Sequence, residues 1–146
     1  MDWNIELIMT LRALLSAVLG AAIGYEREGH GGDAGIRTYA AVSLGACIFG
    51  LISSHIPDTD PARIAAGVVT GVGFLGAGVI LREQGRIAGL TTAATVWATA
   101  SVGLAISFGM YILGTLTSVI IFSLLSIHHL KLLKRLKRKR ATDEGD

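Results

Sequence analysis

Apolar residues fall in five long runs along this chain, separated by short polar breaks. The runs cover roughly positions 5–24, 38–56, 64–81, 91–108 and 110–128. Charge is almost absent inside them. They show neither the wet face of a soluble amphipathic helix nor the alternation of a half-buried strand. Runs of about 17–22 residues cross a hydrocarbon core of about 30 Å as α-helix. Open β-structure is excluded in lipid because its edge groups stay unpaired. A barrel would need a dyad alternation that these solid runs lack. The pattern therefore predicts an all-α polytopic membrane protein, a bundle of about five transmembrane helices.

The breaks carry the charge. Positions 25–37 hold Glu26, Arg27, Glu28, Gly31-Gly32-Asp33 and Arg37. Pro57-Asp58-Thr59-Asp60-Pro61 interrupts the chain twice, since proline cannot continue a helix. Arg82-Glu83-Gln84-Gly85-Arg86 reads as a polar loop, and Gly109 as a turn. Seven of the thirteen Lys/Arg lie between Lys131 and Arg140, so 1–130 reads as the membrane domain and 131–146 as a basic tail. With five spans, Arg27, Arg37, Arg82, Arg86 and the tail share one side and Arg63 alone lies on the other. The positive-inside rule then puts the tail in the cytoplasm and the N-terminus outside. The tail is suited to anionic lipid and, held at a membrane, is a poor nucleic-acid binder. Asp2 and Glu6 stand where a signal peptide needs basic residues and Arg12 lies inside the first run, so it reads as a retained helix and not as a signal peptide.

Polar groups inside the runs are few. Arg12 sits about two turns into the first, where a charge is costly and faces the bundle interior or snorkels out. Arg12, Ser16, Gly20 and Gly24 recur every fourth residue and share one small, polar face. Arg12 is either a structural ion pair, with Glu6 as candidate partner, or part of an ion or partner site. The third run has five glycines in twelve residues: Gly67, Gly71, Gly73, Gly76 and Gly78. Either Gly67 and Gly71 form a close-packed GxxxG face, or the helix is broken and its freed backbone meets an ion. The Gly71-x-Gly73-x-x-Gly76 match to a dinucleotide motif fails, with no strand before it. The fourth run opens with Thr91 and Thr92 and continues Thr95, Thr99 and Gly103 on one face. These hydroxyls are expected to bond the carbonyl one turn back or a neighbouring helix. Trp97 lies deeper than the interfacial belt and is expected to pack on the glycine-rich run.

Cys47 is the only cysteine, so no intrachain disulfide can form. His30, His55, His128 and His129 show no zinc-like spacing, and no metal site is expected. No nucleophile–base motif is visible and no enzyme is expected.

Several segments resemble the MgtC/SapB family of bacterial inner-membrane proteins. They are Arg12-Ala-Leu-Leu, Leu19-Gly20-Ala-Ala-Ile-Gly24-Tyr-Glu26-Arg27-Glu28, Ala34-Gly35-Ile-Arg37-Thr38, Asp60-Pro61-Ala-Arg63-Ile-Ala-Ala, Gly71 to Ile80, and Gly89 to Ala94 with Trp97. Gly67 departs from the glutamine common in the family, and 29–33 is glycine-rich where a basic residue is usual. The chain looks like a short form, without the soluble C-terminal domain of longer members. The resemblance implies a link to magnesium homeostasis, stress adaptation and survival inside host cells. It implies a regulator, with a membrane complex such as the ATP synthase as a target. The glycine- and threonine-lined spans with no intramembrane acid point to action through helix–helix contacts, with itself as a homo-oligomer or with a partner. The alternative is an oligomeric transporter or channel for Mg²⁺ or another ion, with no cofactor-like site visible. The loop charges Glu26, Arg27, Glu28, Arg37 and Arg82 are expected to form an ion-pair network.

Overall fold

The structure, a computed structural model, describes residues 2–29, 32, 34–83 and 86–143, with side chains described except at 81–86 and 128–143. Five helices follow in order: α1 (Trp3–Glu28), α2 (Ile36–His55), α3 (Pro61–Val79), α4 (Leu90–Ser107) and α5 (Tyr111–Asp143). The first four are long and apolar enough to cross a membrane, and α5 contributes an apolar stretch over Tyr111–Ile127.

Local chemistry sets the ends. The Asp60 carboxylate accepts from Ala62 N at 2.9 Å and Pro61 occupies the first turn, so α3 starts where its orphan amides are served. Gly109, at φ +77°, turns α4 into α5. Gly89, at φ +83°, starts α4 directly against the Val79 backbone, a close approach that only glycine permits. Two expectations change here. The break at 82–86 contains a two-stranded antiparallel ribbon, β1 (Leu81–Glu83) on β2 (Arg86–Ala88), because the chain must reverse tightly between α3 and α4. Glu26, Arg27 and Glu28 lie inside α1, not in the loop after it, since a helix can outrun the hydrocarbon by a turn.

Helix α4 is the axis, packing on all four other helices, and it is the most buried span. It runs antiparallel to α1 and α3 and parallel to α2. α3 is the least buried and leans on α4 and α2. The interior is small and partly polar: Ser16, Ser43, Thr92, Thr99 and Ser107 are buried. The exterior is aliphatic, with Leu7, Leu11, Leu14 and Val18 of α1 and Ile112, Leu116, Ile120 and Leu124 of α5 exposed. In water this arrangement would be inverted. In lipid, helices gain nothing by hiding leucine and associate through close backbones and hydrogen bonds.

Candidate functional site

Backbones meet where glycine permits it. A Cβ on Gly20 would lie 2.5 Å from the Tyr39 carbonyl oxygen, and one on Gly24 would lie 2.6 Å from Ile36 Cα. These two glycines and Ser16 form the expected small face of α1, and it is spent on α2. Ser16 Oγ donates to the Ser43 carbonyl at 2.7 Å and shares a 2.9 Å bond with Ser43 Oγ. Beside that seam, Gly103 of α4 abuts the same Ser43 carbonyl and Ala46, and Gly50 faces Ser107. Tyr39, fully buried, links its hydroxyl to Thr95 Oγ1 at 2.6 Å. Thr95 and Thr99 also donate back to the carbonyls of Thr91 and Thr95, each at 2.8 Å.

Arg12 does not meet Glu6, which is exposed one and a half turns away. Its Nε donates to Tyr111 Oη at 2.7 Å and its Nη1 to the Ser107 carbonyl at 3.0 Å, with the guanidinium 5.5 Å from the Tyr111 ring. Ser107 ends α4, so the cation serves an orphan carbonyl at the negative end of that helix dipole. Tyr111 and Ser107 were not legible as partners. They lie 99 and 95 residues away in sequence, and only the antiparallel pairing of α1 and α4 brings them together.

At the other end of the bundle, Arg27 Nη2 donates to Thr92 Oγ1 at 2.8 Å, while its buried Nε has no hydrogen-bond partner among the described residues. Glu28 Oε2 accepts from Ile36 N at 3.0 Å and so caps α2 from a neighbouring helix. Two members of the expected loop network thus bind a hydroxyl and a backbone amide. Arg37 is exposed, and the side chains of Arg82 and Arg86 lie outside the described residues, as does Asp33.

The third helix departs most from expectation. It is one unbroken helix over Pro61–Val79. Only Gly76 is packed, its Cβ position 3.4 Å from the Ala93 carbonyl oxygen and 3.6 Å from Ala93 Cβ. Among the described residues, Gly67, Gly71, Gly73 and Gly78 meet nothing within 4 Å, so no described helix closes the GxxxG pair. The physical reason is that α2 and α3 diverge. An apolar groove of about 520 Å³ separates them, floored by Gly45, Gly67 and Gly71, with Arg63 among its lining residues. Nor does Trp97 fill the glycine face: it is 51 % exposed, and Thr91 on the same helix is exposed too. Around α3, Ala66, Thr70, Gly73 and Ala77 form a small outward face beside Phe74, which is 81 % exposed.

The model of the MgtC family matches residues 13–135, which overlaps every helix. The chain belongs to the MgtC family. Among curated relatives, "Putative magnesium transporter YhiD" of Escherichia coli K12 is 44 % identical over 128 residues, covering 82 % of this chain and 60 % of that protein. Protein MgtC of Salmonella typhimurium is 46 % identical over 101 residues, 69 % of this chain and 44 % of that one. Protein SrpB of Synechococcus elongatus is 37 % identical over 150 residues, 92 % and 80 % of the two chains. The chain therefore spans about 60 % of the first of these relatives and less than half of MgtC itself. No solved structure matches it. As an MgtC-family multi-pass membrane protein, it carries Arg27 and the whole of α3 within the matched region.

Proposed function

We propose that the chain is an inner-membrane regulator in magnesium homeostasis that works through helix–helix contact, and that α3 makes the contact. The observation that supports this is the contrast among glycines. Gly20, Gly24, Gly50 and Gly103 are filled by neighbouring helices, whereas Gly73 lies in a small outward face with nothing within 4 Å. A close-packing face without a partner in its own chain is what a partner helix in lipid uses. The first partner is the same face of a second copy, giving a homo-oligomer. The interior charge agrees: Arg12 is consumed in capping α4, and a fixed cation repels Mg²⁺ from the core. The orientation puts the tail in the cytoplasm, where its basic residues meet anionic lipid.

Two differently labelled copies reconstituted in liposomes test this by energy transfer. Transfer should rise with protein-to-lipid ratio and be lost in Gly73→Leu, with Leu116→Ala on the far face of α5 unchanged. Transfer unaffected by Gly73→Leu would defeat the assignment. A second reading, transport, is favoured by the name of the relative YhiD, and requires protein-dependent magnesium flux.

A further inference from the structure

The groove between α2 and α3 is separate from the outward face of Gly73, and its shape and charge identify a different occupant. We propose that it binds one acyl chain of a phospholipid that carries both a phosphate and an ammonium group, with the phosphate on Arg63.

The size argues first. From Arg63 to Leu75 the groove follows α3 for twelve residues, about 18 Å at 1.5 Å per residue. That matches about 15 Å, half the thickness of a hydrocarbon core and hence one leaflet's tail. The groove is open to the side along this length, so a flexible hydrocarbon chain can enter it from the surrounding lipid. A single unbranched hydrocarbon chain fits a groove of this length. The walls agree: Ala41, Gly45 and Phe49 on α2 and Gly67, Gly71 and Leu75 on α3 are apolar or bare backbone.

The charge argues next. Arg63 is exposed at the end of the groove near the α2–α3 turn, and among the described residues no hydrogen bond or ion pair engages its guanidinium. A guanidinium at the mouth of an apolar groove matches a phosphate oxygen fork. The same turn carries Asp58 and Asp60, both exposed, two carboxylates against one cation. Their field opposes a lipid of net negative charge and favours one whose ammonium group offsets them. An ethanolamine headgroup supplies both charges, and its small ammonium can donate hydrogen bonds to the carboxylates, which a choline cannot.

The full chain in bilayer discs of equal phosphatidylethanolamine, phosphatidylglycerol and phosphatidylcholine tests this, with retained lipid identified by native mass spectrometry after release. The wild type should keep about one phosphatidylethanolamine per chain. Arg63→Gln should lower retention about ten-fold, the loss of a charge-assisted pair. Gly71→Leu or Gly67→Leu should fill the groove and abolish it, with circular dichroism selecting the variant that folds. Gly73→Leu, which tests self-association, should leave retention intact, so the two readings fail separately. Preference for phosphatidylglycerol, equal retention of all three lipids, or retention unchanged in the folded groove-filling variant would overturn the proposal.

Discussion

Replacing Gly20 by alanine adds one methyl where α1 and α2 touch. The new Cβ would lie 2.5 Å from the Tyr39 carbonyl oxygen, 2.8 Å from Ser43 Cβ and 3.0 Å from the Tyr39 carbonyl carbon. Ordinary contacts between such atoms are about 3.5–4 Å. Two of the three neighbours are backbone, so the seam must open by close to ~1 Å rather than a side chain turning aside. Overpacking of this kind costs about 1–3 kcal/mol. The shift also stretches the Ser16–Ser43 bonds at 2.7 and 2.9 Å, each worth about 0.6 kcal/mol in a membrane bundle. Alanine returns up to about 1 kcal/mol through its better helix propensity. The net expectation is destabilisation by about 2 kcal/mol. Gly73→Ala is the matched control: nothing lies within 4 Å, so only the propensity gain remains and stability holds or rises by up to about 1 kcal/mol. Unfolding in mild detergent by added dodecyl sulfate, followed by far-ultraviolet circular dichroism, reads both. Equal midpoints for the two variants would refute the view that this seam is held by backbone contact.

Other substitutions test the remaining joints. Arg12→Leu and Tyr111→Phe, taken singly and together, should show a coupling of about 1–3 kcal/mol in the same unfolding assay, since one removes the charged donor and the other its acceptor. Additive effects would deny the pair. Gly89→Ala should destabilise by about 1–3 kcal/mol, because φ +83° and the adjoining Val79 backbone both reject a Cβ; a midpoint equal to wild type would contradict that. Thr92→Val should cost about 1–3 kcal/mol by leaving the Arg27 donor unpaired, and Arg27→Met combined with Thr92→Val should recover part of it, measured by thermal loss of helicity.

The spans were readable because lipid demands continuous apolar helices, and their ends are marked locally by Asp60-Pro61 and Gly109. The face of Ser16, Gly20 and Gly24 was readable from spacing alone, because small residues every fourth position define a seam whatever the partner. Which helix would fill it was not. That Arg12 meets Tyr111 depends on pairing between distant helices, which periodicity does not encode. The glycines of α3 show the opposite limit. Gly67 and Gly71 have the same spacing as Gly20 and Gly24, yet they line an open groove between α2 and α3. Spacing reports the capacity for close approach and not whether the chain itself uses it. The resemblance found the family but gave Arg27 no geometry. Its contact with Thr92 emerges only where α1 ends beside the start of α4.

A bundle that acts by contact, as proposed, does not conduct. Liposomes containing the purified chain and an entrapped magnesium-sensitive dye test it under an inward Mg²⁺ gradient with a membrane potential. The predicted result is uptake equal to that of protein-free liposomes. Protein-dependent uptake that Gly73→Leu abolishes would contradict it.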